Sequence, residues 1–178
     1  LMKYDRFERA EKVLAKVVAS GGTGEDWLGL GIAQMQQEKW DKAEATLKGA
    51  LNLMADNPYP ALHLAKVSKG KADKAAEREW IQRAINTDTG CVDAWAYLYA
   101  HVRENENEEA ALKAVADLAD AETHKRSSAP YVALQGFYSG EESTRDKAIE
   151  LAKKAVARNE KDTLALISLS ALYGQSGD

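Results

Sequence analysis

The sequence is poor in most residues that staple, bend or anchor a chain. It has one cysteine, Cys91, in 178 residues. One thiol allows neither an intrachain disulfide nor a cysteine cluster for a metal. It fits a reducing compartment, so a cytoplasmic location is the expectation. Leu1 before Met2 is an unusual start, which leaves room for a removed leader. Only three prolines occur, Pro58, Pro60 and Pro130, so few sites forbid a helix interior. Alternation of β-branched residues is almost absent, whereas Ala, Leu, Lys and Glu dominate. That composition predicts an all-α fold. No apolar run approaches the roughly 18 residues of a membrane-spanning helix, so direct membrane insertion is not expected, and the start carries no signal-peptide pattern. Positive charge is not in excess: 24 Lys and Arg face 28 Asp and Glu, a net charge of −4. A general nucleic-acid binder would show a basic surplus.

Chemistry-bearing constellations are equally scarce. His63, His101 and His124 lie far apart, with no His pair at i,i+4 and no HExxH, so no metal site is expected. Each reads as a surface or groove-edge residue. Gly21-Gly22-Thr23-Gly24 precedes a helix but lacks the GK[ST] ending and preceding strand of a phosphate loop; it reads as a linker. The acidic run Glu104 to Glu109 reads as a solvated turn with acids at a helix N-terminus. His124-Lys125-Arg126 is a short basic loop with too few cations to define an anion site. Cys91 has no partner in sequence and reads as a structural or loop thiol. No catalytic residue and no cofactor is nominated, and the chain is read as having no catalysis of its own.

What is present is a repeated pattern. In the stretch from Trp27 to Asn57, Trp27, Leu30 and Gly31 recur at helical spacing, then Trp40, Ala43, Leu47, Ala50 and Leu51 do so after a polar turn. Large and small residues alternate on each face, the composition that lets two helices approach closely. A shift of 34 residues carries Trp27 onto Ala61, Leu30 onto Leu64, Gly31 onto Ala65, Leu47 onto Ile81 and Ala50 onto Ala84. A second shift reaches Trp95, Leu98 and Val115. Further on, Tyr131, Leu134 and Tyr138 take the same places, then Ala148, Ala152 and Ala155, and finally Leu166, Leu169 and Tyr173. A fixed period of this size means stacked helix pairs, each too small to bury its own face. The predicted helices are 4–19, 24–37, 40–54, 58–70, 73–86, 92–104, 107–121, 129–139, 144–158 and 162–175.

This pattern resembles the tetratricopeptide repeat (TPR). The run WLGLGIAQ follows W-x2-L-G-x2-Y except that Gln34 stands at the tyrosine, and Ala43, Leu47 and Ala50 carry the second-helix spacing. The resemblance covers nearly the whole chain, clearest over 27–57 and weakest over 58–91, where Glu77 occupies a normally small site. It implies a right-handed solenoid of antiparallel helix pairs, here one domain over 1–178. The expected divisions are a half repeat 1–22, repeats at about 24–57, 58–91, 92–127 and 128–162, and a half repeat 163–178. Trp27, Trp40, Trp95, Tyr131 and Tyr138 are then packing residues. Phe7, Leu166, Leu169 and Leu172 do not make the polar caps that a repeat array needs. The expectation is a piece of a longer array, or ends covered by another chain, with head-to-tail self-association open to it.

The resemblance also implies a concave groove, lined by first helices, that holds a peptide or helix of a partner protein. The groove candidates are Leu28, Ile32 and Met35, then Leu62, Lys66 and Lys69, then Tyr97, Ala100 and Arg103, then Val132 and Gly136. The Lys and Asn that grip a peptide's terminal carboxylate in one class of these proteins are missing, since Leu28 and Ile32, then Leu62 and Lys66, hold those places. An apolar start followed by Lys66, Lys69 and Arg103 suits an amphipathic segment with acidic residues. The expected function is a protein-interaction scaffold; the alternative is a regulatory or substrate-recruiting domain of a larger enzyme.

Overall fold

The computed structural model describes residues 2–176, with side chains described from 6 to 175. All regular structure among them is helical. The residues fall into two compact units, Leu1–Asp88 and Thr89–Asp178.

The first unit holds α1 (Met2–Ala19), α2 (Gly24–Met35), α3 (Trp40–Leu53), α4 (Tyr59–Gly70) and α5 (Lys74–Thr87). Its helices pair as α2 with α3 and α4 with α5, while α1 packs on α2 and α3 on α4. Caps set the starts. Thr23 and Asp26 form a capping box at α2, with Thr23 N–H donating to Asp26 Oδ2 at 2.8 Å. Asp73 accepts from Ala76 N–H at 3.0 Å to start α5. Such side chains satisfy amide groups that the first turn leaves without a helical partner.

The turns inside the two hairpins show the 34-residue period in the backbone. Lys39 N–H bonds to the Gln34 carbonyl and Asp73 N–H to the Ser68 carbonyl, 34 residues on, at 3.0 and 2.9 Å. Between them Glu38 and Ala72 both take left-handed conformations, φ 57° and 58°. The close helix crossing inside the first hairpin rests on two glycines. A Cβ on Gly31 would lie 2.6 Å from the Leu47 side chain, and one on Gly49 would lie 2.5 Å from the Trp27 ring. Each helix thus offers a bulky side chain to the other's bare backbone. Leu47, Ala43 and Ala50 are fully buried behind them.

The second unit holds α6 (Val92–Asn105), α7 (Glu108–Ala119), α8 (Ala129–Tyr138), a 3-10 turn at Glu142–Thr144, α9 (Arg145–Arg158) and α10 (Thr163–Ser176). Here α6 pairs with α7 and α8 with α9, and α10 packs on α9 and α8. First helix meets first helix where α6 touches α8. Trp95 is fully buried, its indole N–H donating to the Thr89 carbonyl at 2.9 Å. Arg158 of α9 donates to the carbonyls of Ala119 and Lys125, both at 2.9 Å, and pairs with Asp120. One guanidinium so closes the carbonyl end of α7 and fixes the loop after it.

Two expectations need correction. The 34-residue period predicts Leu166, Leu169 and Tyr173 at the packing places of α10, but Ala165 and Leu172 are the buried residues, and Leu166 is 44% exposed. The true register lies one residue earlier. It is set by Asp162, whose Oδ1 accepts from the amides of Leu164 and Ala165. The sequence predicts surface or groove-edge places for the histidines, yet His101 and His124 are buried. His124 sits edge-on to Trp95 with centroids 5.6 Å apart, and its Nδ1 is 3.1 Å from the Leu118 carbonyl. An imidazole there fills core space and still meets a polar partner.

Candidate partner-binding faces

In an α-helix each residue turns the side chain by about 100°, so the neighbours of a helix divide its circumference. On α2, Trp27, Gly31 and Gln34 face α3: the first two pack against Gly49 and Leu47, and the Gln34 amide oxygen accepts from Thr46 Oγ1 at 2.8 Å. Gly29, and Gln37 in the turn after α2, face α1, meeting Leu14 and Glu11. Leu28 and Ile32, one turn apart, lie on the remaining arc and are half-buried. Met35 is buried, and so is Leu62 on α4, the counterpart of Leu28. Lys66, the counterpart of Ile32, is exposed, as is Lys69. These first-helix positions therefore hold two half-buried aliphatic side chains on α2 and two exposed lysines on α4. His63 lies one turn before Lys66 on the same helix. Burial, with the Lys66 charge second, pushes its imidazole down to about 4 from the ordinary 6.5, so it is neutral at pH 7.

In the second unit Tyr97 is half-buried and Val132 is buried at 8% exposure. Tyr97 occupies the place of His63 and Gly29 rather than that of Leu28, one step off the arc. Arg103 is exposed near the end of α6. Its guanidinium carbon lies 5.3 Å from the Tyr99 ring centroid and 5.4 Å from that of Phe137 on α8. Those rings are themselves 4.6 Å apart and tilted by 49°. Beneath them runs a polar chain. Tyr99 and Tyr138 share a hydrogen bond at 2.9 Å, Tyr138 donates to Glu108 at 2.5 Å, and Lys147 pairs with Glu108 at 2.8 Å while lying 3.9 Å from the Tyr138 ring centroid. Lys147 first and Tyr138 second hold the Glu108 carboxyl below its ordinary value.

The two units bring together some of the nominated residues and leave others in the core. Ile32 and Lys66 hold corresponding places on α2 and α4, which touch, with Leu28 one turn before Ile32, and Arg103 stands beside the α8 segment that carries Gly136. Met35, Leu62 and Val132 are packing residues. Sequence reading missed the Phe137 ring and the Glu108 chain. A signal for the first existed, since Tyr99 and Arg103 are four residues apart on one helix, a spacing that stacks side chains. Among the described residues no group of three or more His, Cys, Asp or Glu is arranged for a metal ion. No helix among them is long and apolar enough to cross a membrane.

No family model matches the chain, and the comparison with curated proteins gives no match. Solved structures do match. MamA is 24% identical, with 87% of this chain and 90% of that chain covered, at a TM-score of 0.53. Cut9, in the APC/C hetero-tetramer Cut9–Hcn1, is 18% identical over 93% of this chain and 33% of that chain, at 0.52. A monomeric mutant of IFIT1, solved with Gppp-AAAA, is 16% identical over 96% and 43%, at 0.50. Identity this low speaks for the fold alone. Together with the 34-residue recurrence of helix pairs and turns, it shows that the chain has the all-α fold of the tetratricopeptide-repeat proteins.

Proposed function

We propose that the chain is a protein-interaction module, without catalysis of its own, that holds a peptide or helical segment of a partner protein on its first-helix faces. The observation that supports this most is the arc of α2 that carries Leu28 and Ile32. They stand there one turn apart and half-buried, and Lys66 is exposed on α4, which touches α2. Two aliphatic anchors beside a cation suit an amphipathic segment: the anchors supply affinity and the charge supplies orientation. A net charge of −4 favours a protein over a nucleic acid as the partner, although IFIT1 shares the fold and was solved with Gppp-AAAA. Self-association belongs to the same class of contact.

Selection of binding peptides from a displayed random 12-residue library against the whole chain tests the proposal. Peptides are expected that bind the native chain and lose at least tenfold in affinity to Ile32→Glu, with the melting temperature unchanged. Failure of the library to yield any binder, or binders all indifferent to Ile32→Glu, Lys66→Glu and Arg103→Gln alike, would overturn it.

A further inference from the structure

The second unit contains two arginines laid over aromatic rings, and they differ in what their donors do. Arg158 lies over Tyr131 at 5.2 Å and spends its N–H groups on two carbonyls, a carboxylate and the Tyr131 hydroxyl. It is committed to holding the fold. Arg103 has the same kind of support from two rings, but among the described residues its guanidinium makes no hydrogen bond and no ion pair. Its side chain is exposed. The result is a guanidinium held in place by Tyr99 and Phe137 with its donor edge unspent.

We infer that Arg103, backed by Tyr99 and Phe137, is a recognition site for a carboxylate side chain, Asp or Glu, in a partner segment that rests its neighbouring apolar residue on Phe137. The inference rests on the reading of the chain as a protein-interaction module and specifies the partner's chemistry at a second place on it. Three observations carry it. A guanidinium presents parallel N–H groups whose spacing matches a carboxylate, and its fork loses less freedom on binding when already fixed. Stacking on two rings within about 6 Å supplies that fixing without consuming a donor. Phe137 is 39% exposed, a large apolar surface for an α8 residue, and is immediately preceded by Gly136, where a Cβ would meet nothing within 4 Å. A partner backbone can therefore come close beside the ring. The Glu108 carboxylate, which also feels the Arg103 charge, is taken by Lys147 and Tyr138.

The test uses the whole chain and the same displayed 12-residue library, sorted by sensitivity to Arg103→Gln. Expected is a class of peptides carrying Asp or Glu next to an aromatic or aliphatic residue. They should bind Arg103→Gln about tenfold or more weakly, since one hydrogen-bonded charge pair is lost, and Arg103→Lys should recover only part. Replacing the acidic residue of the peptide by its amide should cost the same factor against the native chain, a measurement that leaves the protein's fold untouched. Peptides that lose affinity to Ile32→Glu but not to Arg103→Gln overturn this inference and leave the interaction module standing; a library without binders overturns both. A single-stranded RNA 12-mer bound by the native chain and lost by Arg103→Gln, with no acidic peptide class, assigns the stack to a base and also overturns it.

Discussion

Ala72 shows how one residue can work against its own backbone. It sits at φ 58° in the turn between α4 and α5, the conformation that costs an L-residue roughly 1–2 kcal/mol. Glu38 does the same 34 positions earlier. Both turns hold because the carbonyls at the ends of α2 and α4 are satisfied across them, by Lys39 N–H and Asp73 N–H. A glycine would keep those bonds without the steric cost, at the expense of a more flexible unfolded chain. Ala72→Gly is expected to stabilise the protein by about 1 kcal/mol in urea denaturation, because relief of the left-handed strain outweighs the added chain entropy. A lower denaturation midpoint would show that the turn is not strained.

Between helices, the reciprocal pairs Gly31–Leu47 and Gly49–Trp27 set the spacing of the first hairpin. Glycine inside a helix ordinarily costs about 0.5–1 kcal/mol relative to alanine, so Gly49→Ala in isolation should stabilise α3. The 2.5 Å approach of the Trp27 ring reverses the sign. Overpacking of this kind costs about 1–3 kcal/mol, and net destabilisation is expected. In the background Trp27→Leu the same change should become neutral or favourable, because the ring that it collides with is gone. Equal losses in both backgrounds would mean that the ring does not define the crossing.

The same pairs explain what could be read in the sequence. Large–small alternation at a fixed period is a local signal, and it located the helices and the hairpin partners. It failed at α10, where Leu164, Ala165, Leu166, Ile167 and Leu169 put apolar groups all round the helix. There the register depends on Asp162, one cap residue with a hydrogen bond from Ser128 Oγ just before α8. The burial of His124 depends on the fold of the Ala121–Arg126 loop, to which helical periodicity is blind. The Arg103 stack and the Glu108 chain join residues 34 and 30 to 39 positions apart through tertiary packing. Only the Tyr99–Arg103 half of this was local, and the groove list accordingly mixed exposed residues such as Lys66 with packing residues such as Leu62.

Taken as a whole, the molecule's response to acid should have two stages. His63 is half-buried and neutral at pH 7, with a value of about 4 against 6.5 when free. Unfolded chains therefore take up its proton first, so the associated stability is intact above pH 6.5 and declines as the pH falls towards 4. Glu44, Glu108 and Asp162 are depressed by hydrogen bonds from Lys48, Lys147 and Ser128 respectively. Their contribution is intact above their ordinary values and disappears only as the pH falls through the lowered ones. Melting temperatures recorded from pH 7 to 3 should show both limbs. His63→Gln is expected to flatten the upper limb and keep the lower one; an unchanged slope between 6.5 and 4 would remove His63 from the account.

Within each unit the helices pack on helices that are next to them, or next but one, along the chain. That locality has a kinetic meaning. Closing a short loop costs little entropy, and the cost grows only slowly with length, so a hairpin such as α2–α3 can form before the chain has searched for any distant partner. Proteins built from such near-neighbour contacts fold on microsecond to millisecond timescales, and a repeat can start the process wherever its two helices first meet. The 34-residue period is thus also the length of chain that must emerge before a first hairpin can close on itself.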